Sequence, residues 1–244
     1  MLCPERSESF NAASPAGTAE KKLPGLSAAV AASAIALLLA AALFALPGCA
    51  TTNPDTDPVN KAQVGDVVQF GDDQWRVLAK EGGKALLITE DAIGTRAYNK
   101  ECADVTWENC TLRSYLNDEF YNGFDDNQKR AIAETKNSTS DNPEHGTPGG
   151  GETTDKVFCL SIEEADEYLS SDDDRVARCN GDACPWWLRS PGSGAEYVAY
   201  VYDGGHVDTY GFYVDNAYRG VRPAVWVESG RAPSGLPAGH ARTR

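Results

Sequence analysis

Few side chains in this sequence of 244 residues could serve as a nucleophile or a proton-transfer group. Cys159 and Ser190 are the candidate nucleophiles. Either would need a histidine base, itself oriented by a third group. Outside the C-terminal tail the histidines are His145, in a polar loop, and His206, beside Gly204-Gly205. Cys159 sits within Val157-Phe158-Cys159-Leu160, an apolar run that disfavours a thiolate. No coherent catalytic set emerges, and the expectation is a protein that is not an enzyme.

Metal and redox chemistry have a similar outcome. Of seven cysteines, Cys3 and Cys49 lie near the N-terminus and the other five are Cys102, Cys110, Cys159, Cys179 and Cys184. Outside the cytoplasm Cys102 with Cys110 and Cys179 with Cys184 would each staple a short loop, leaving Cys159 as a core thiol. Zinc competes poorly, because Cys-x-x-Cys spacing is absent and histidines are few. Asp172, Asp173 and Asp174 offer hard oxygens for calcium. Three in succession project in different directions, however, and no Asp-x-Asp-x-Asp-Gly loop is present. No cofactor is expected, with calcium as the open candidate.

Binding is better supported. Between Gly192 and Arg219 the chain places Tyr197, Tyr200, Tyr202, Tyr210, Tyr213 and Tyr218 among Asp203, Asp208, Asn216 and several glycines. Tyrosine offers wide contact area and a hydroxyl at low entropic cost, and paratopes are rich in this mixture. These nine residues are the expected ligand-binding set. Tyrosines alternating on a sheet also serve as half-buried strand residues, so each one alone carries both readings. Trp186 and Trp187 occupy adjacent strand positions, so at most one can face solvent. Trp75, Trp107 and Trp226 are expected in the core. Arg189 and Arg222, set in apolar strands, are expected to pair with buried carboxylates.

The elements that must hold these residues follow from periodicity. Val67-Val68-Gln69-Phe70, Gln74-Trp75-Arg76-Val77-Leu78 and Lys84-Ala85-Leu86-Leu87-Ile88, separated by Gly and Asp, predict a three-stranded meander. Leu112, Tyr115, Leu116 and Phe120 recur at helical spacing. Asp125 with Gln128, and Ser161 with Glu164, are capping boxes that open two further helices. Between Asn137 and Asp155 a Ser/Thr/Pro/Gly loop is too polar to be buried, and it lacks the lysine a phosphate cradle would require. From Trp186 to Val227, aromatic and β-branched runs punctuated by Gly and Asp predict an antiparallel sheet.

Charge and the N-terminus bear on location. The formal net charge is −14, and up to Cys49 Glu5, Glu8 and Glu20 balance Arg6, Lys21 and Lys22, so the excess acid belongs to the remainder. An acidic surface repels phosphate backbones, so nucleic acid is not an expected partner. From Leu23 to Gly48 no side chain is charged, as in a signal-peptide apolar region. Residues 1–48 are accordingly expected to be a signal peptide, 49–63 a polar tether, 64–228 a single domain and 229–244 a frayed tail.

Leu46, Gly48 and Cys49 match the Leu-x-Gly/Ala-Cys box of bacterial lipoprotein signals, and the chain resembles them. The resemblance implies cleavage before Cys49, lipid on its thiol, and a domain anchored to the membrane outside the cytoplasm. An uncleaved N-terminal transmembrane anchor is the alternative. Further along, Gly65, Asp66, Phe70, Gly71 and Trp75-Arg76-Val77-Leu78, then Asp104-Val105-Thr106-Trp107, Thr153 to Val157, Trp186 to Gly192 and Gly220 to Ala224 form a combined signature. In these the chain resembles an uncharacterised bacterial exported-protein domain of the DUF6273 type. That domain is more distantly similar to the C-type-lectin-like fold of formylglycine-generating enzymes. The resemblance implies an α+β domain with a small twisted antiparallel sheet, two to three short helices and long loops. It implies no activity. The reactive cysteine pair of formylglycine-generating enzymes is missing between Pro185 and Val227, as is the Glu-Pro-Asn or Gln-Pro-Asp triplet of calcium-dependent sugar-binding lectins. The expected function is recognition of a surface glycan or protein. A structural or adhesive envelope role and a degenerate enzyme are the alternatives.

Overall fold

A computed structural model of the chain describes residues 58–229. The stretch expected to be a signal peptide, Cys49, most of the expected tether and nearly all of the expected tail lie outside the described residues. Among the described residues no helix is long and apolar enough to cross a membrane.

A four-residue helix, α1 (Pro58–Lys61), comes first, inside the stretch expected to be tether. Its Val59 is buried, and Lys80 donates to the carbonyls of Asn60 and Ala62 at 2.9 and 2.7 Å, so these residues pack with the domain. The meander then forms as predicted: β1 (Val67–Phe70), β2 (Asp73–Glu81) and β3 (Lys84–Thr89), antiparallel throughout. Gly71 opens the two-residue β1–β2 turn at φ +64°, a sign of φ that glycine adopts without strain.

The middle is helical and irregular. Helix α2 (Thr111–Tyr115) runs into a π-helical turn, Leu116–Phe120. Both predicted capping boxes are made, at α3 (Asp126–Ala131) and α4 (Ile162–Tyr168). Between them β4 (Thr135–Asn137) and β5 (Thr153–Asp155) form a small hairpin. Its connecting loop is polar but not wholly exposed. Thr139, Asn142 and Thr147 are buried because their polar atoms and backbone are hydrogen-bonded, which removes the cost of burial. The Asp172-Asp173-Asp174 run opens a short helix: α5 (Asp172–Arg175) is capped by Ser171, whose hydroxyl bonds Asp174, and Asp172 pairs with Arg175.

A short hairpin, β6 (Ala177–Cys179) with β7 (Asp182–Cys184), carries the Cys179–Cys184 disulfide. The expected Cys102–Cys110 bond is not made. Cys110 is a buried thiol whose sulfur caps α2 by accepting from the Arg113 N–H at 3.4 Å. The second large sheet is β8 (Trp186–Pro191), β9 (Tyr197–Val201) and β10 (Val207–Tyr213), with β9 central.

The closing strand departs from expectation. β11 (Ala224–Glu228) leaves the aromatic sheet and pairs with β3, giving the order β1-β2-β3-β11. On the way Gly220 bridges both Thr95 and Trp186, and Phe158 bridges Ala224, so this one segment ties the two sheets together. Val157 to Leu160 is fully buried, as predicted, but is an isolated bridge with no regular strand. The class is α+β with small antiparallel sheets. There are four sheets where the residues predicted a meander and one further sheet and the resemblance implied one, and five short α-helices plus the π turn where two or three were implied, among the described residues.

Trp75, Trp107, Trp186 and Trp187 are all fully buried, and Trp226 is half-buried. Arg189 lies in the core in a two-pronged pair with Glu164, as expected, and donates also to the Cys159 and Ser138 carbonyls. Arg222 departs from expectation. It donates to the Thr89 carbonyl at 2.7 Å with no carboxylate bond, and burial pushes its pKa down to about 10. Asp155 is the hub of the middle region: Arg113, Trp107, Asn137 and Thr153 all donate to its fully buried carboxylate.

Candidate functional site

The β9–β10 hairpin carries most of the predicted binding residues, and the pleat decides their fate. Side chains of antiparallel partners share a face. Tyr213 is opposite Tyr197, while Asp208 is opposite Tyr200 and Phe212 is opposite Val198. Tyr197 and Tyr213 therefore point one way; Val198, Tyr200, Asp208 and Phe212 point the other.

On the second face Tyr200 is 3% exposed. It packs edge-on against Trp187 and Phe212, and the Arg219 guanidinium lies 4.0 Å from the centroids of both Tyr200 and Phe212. Burial, then the Tyr202 hydroxyl, raises the Tyr200 pKa well above its ordinary value. Tyr200, expected as a ligand contact, is thus placed in the core, and the slot over its ring is filled by the chain's own Arg219. Tyr202, at the strand end, stacks on His206 at 4.1 Å and 19°.

On the first face the tyrosines gather at the surface. Tyr197 lies 4.5 Å from Tyr213 and 5.8 Å from Tyr210, and His145 meets Tyr210 edge-on at 5.7 Å. Burial, with the neighbouring Tyr213 hydroxyl, raises the Tyr197 pKa to about 12, so this phenol stays a neutral donor at ordinary pH. Tyr210 is 46% exposed and Tyr218 82%.

Two polar residues of the predicted set shape this surface. The register slips between Asp208 and Phe212; Gly211 takes φ +83° and donates its N–H to the Asp208 carboxylate at 2.9 Å. This bulge swings Tyr210 outward and interrupts an edge strand. A Cβ at Gly211 would lie 2.6 Å from the Val198 carbonyl oxygen, so the close approach requires glycine. Asn216 accepts from the Tyr218 N–H at 3.1 Å, fixing the turn that displays Tyr218. Asp203 is exposed on the hairpin turn, close in sequence to the Tyr202–His206 stack. The structure thus brings together Tyr197, Tyr210 and Tyr213 and separates them from Tyr200.

Asn142 escaped the sequence reading. Its amide donates to the carbonyls of Pro191 and Thr209 at 2.8 Å each, while its oxygen accepts from the N–H groups of Glu144 and His145. One buried side chain so pins the polar loop to β8 and β10 and sets His145 against Tyr210. The Asn142-Pro143 dipeptide was the available signal, since it marks a turn. Neither Trp186 nor Trp187 offers a stacking platform. Their indole N–H groups donate inward to the carbonyls of Arg175 and Arg96, both at 2.9 Å.

Cys110 and Cys159 are both buried thiols. Burial pushes Cys110 up to about 11 and raises Cys159 further, so both stay protonated. Among the described residues no group of three or more His, Cys, Asp or Glu could hold a metal ion.

No curated protein and no solved structure matches the chain. A family model does, from the β2–β3 turn through β11, covering both capping boxes, the Asp155 hub, the buried Trp186-Trp187 pair and the whole tyrosine hairpin. Over residues 82–229 the chain belongs to DUF6273, a domain of unknown function.

Proposed function

We propose that this protein is an exported, lipid-anchored, non-catalytic recognition module that binds a surface glycan or protein through the Tyr197–Tyr210–Tyr213 cluster, with Tyr218 beside it in sequence. The observation that carries the reading is the bulged edge strand whose Tyr210 and Tyr213 both pack on Tyr197, with Tyr210 nearly half exposed. Rigid phenol groups held by their neighbours lose little entropy on binding and offer both area and hydrogen bonds. The non-catalytic part rests on two thiols held protonated in the core and on histidines spent in ring contacts with Tyr210 and Tyr202. Anchoring rests on the charge-free run ending at Cys49. The C-type-lectin-like reading belongs to the same proposal. Its support is the α+β plan with a Trp-bearing strand, long ordered loops and a closing strand that returns beside the opening meander.

The test is an array of glycans and surface proteins probed with the full chain in detergent. A discrete set of ligands bound by the wild type and lost in Tyr210→Ala/Tyr213→Ala, with the fold retained, supports recognition. Equal signals from the variant overturn it. Labelled palmitate incorporated by the wild type and not by Cys49→Ser tests the anchor; absence of label from the wild type refutes it.

A further inference from the structure

A concave site elsewhere in the fold shares no residue with the tyrosine cluster. The β1–β2 turn, the π-helical turn and the start of α3 enclose a cavity of about 280 Å³. That is just under the roughly 300–1,000 Å³ of drug-sized ligand sites, so the space suits a small molecule or the end of a longer one. Tyr115, Phe120 and Phe124 supply aromatic walls, with Phe120 and Phe124 edge-on at 5.4 Å. Asp72, Asp73 and Glu119 are the ionisable carboxylates of the lining, and no Lys, Arg or His lines it. One base stands on the aromatic wall itself, the Arg96 guanidinium lying 3.5 Å from the Tyr115 ring centroid, while Lys129 donates to the Asn122 carbonyl. Glu119 and Phe120 both come from the π turn, a rare conformation that recurs at functional sites.

The geometry points to a binding site for a primary ammonium group on an apolar stem, the stem against the aromatic walls and the charge among the three carboxylates. Aromatic faces and carboxylates both attract a cation, and both repel an anion. Partial burial and the charge of Asp72 raise the Asp73 pKa, a strain that a bound cation would relieve. The ammonium belongs either to a free amine or to a lysine side chain of a partner.

Titration of the full chain with 2-phenylethylamine, 2-phenylethanol and Nα-acetyl-lysine methylamide separates these cases. The amine should bind saturably and about tenfold tighter than the neutral alcohol, and Asp73→Asn/Glu119→Gln should abolish that preference. Tighter binding of the lysine amide than of the amine assigns the site to a protein side chain; the reverse assigns it to a free amine. Equal binding of amine and alcohol, no binding of either, or a preference unchanged in the double variant overturns the proposal. Should the double variant not fold, the wild-type amine affinity must fall with added salt while the alcohol's does not, and a salt-independent amine affinity overturns it equally. Loss of array binding in the tyrosine variants leaves this outcome untouched, so the two readings fail separately.

Discussion

The two faces of the β9–β10 hairpin are built from the same residue type and do opposite things. Tyr200, on the inner face, is closed off by Trp187, Phe212 and Arg219; Tyr197, on the outer face, packs on Tyr213 and on a bulged-out Tyr210. The difference teaches that a run of tyrosines does not make a binding surface by composition. What decides is the pleat, and which positions the rest of the chain covers. Here Arg219, immediately before the closing Gly220-Val221-Arg222-Pro223-Ala224 segment, supplies the cover.

The comparison can be broken most forcefully at Tyr200. Tyr200→Ala should cost about 3–5 kcal/mol, as for other large aromatic truncations in cores, and chemical denaturation checks it. A cost near zero would place Tyr200 on the surface and erase the distinction. Alkaline pH probes the buried core beyond the hairpin next. The Cys110 thiol rises from 9.0 to about 11 in the fold, so its contribution is fully present below pH 9 and is lost as pH rises through about 11. The loss amounts to roughly 2–3 kcal/mol, and Cys110→Ala should flatten that part of a stability–pH curve.

Removing the Cys179–Cys184 disulfide, whose cysteines are five positions apart, should cost about 2 kcal/mol in Cys179→Ala/Cys184→Ala. Both sulfurs lie 3.2 Å from where a Cβ on Gly220 would be, so the loss is felt beside the segment that carries Arg219. Arg219→Ala removes a cation shared by the Tyr200, Phe212 and Trp187 rings and should cost about 1–2 kcal/mol, with Tyr200 becoming accessible to fluorescence quenchers. At the small end, Tyr210→Ala and Tyr218→Ala should each change stability by no more than about 0.5 kcal/mol in the same denaturation assay.

Much of the scaffold was legible in the residues. The meander has short apolar runs cut by Gly and Asp, and the capping boxes at Asp125 and Ser161 fix two helix starts by local hydrogen bonds alone. Non-local facts were not legible. That β11 joins β3 and not its sequence neighbours depends on pairing across more than a hundred residues, which no window of sequence contains. The buried polar loop escaped because its satisfaction depends on Asn142 reaching Pro191 and Thr209, a partnership that composition cannot show. In the candidate site, residue type and strand periodicity pointed to a tyrosine-bearing hairpin, which forms as β9–β10. They could not say which tyrosines Arg219 would cover. The Cys102–Cys110 pairing failed for a like reason: short separation permits a bond, but Cys110 is turned inward to cap α2.

The most direct measurement is a side-by-side array of wild type, Tyr200→Phe and Tyr210→Ala/Tyr213→Ala, with thermal melts confirming that all three are folded. The account predicts that Tyr200→Phe keeps the wild-type binding pattern and that the outer-face variant loses it. A pattern lost in Tyr200→Phe and kept in Tyr210→Ala/Tyr213→Ala would contradict it.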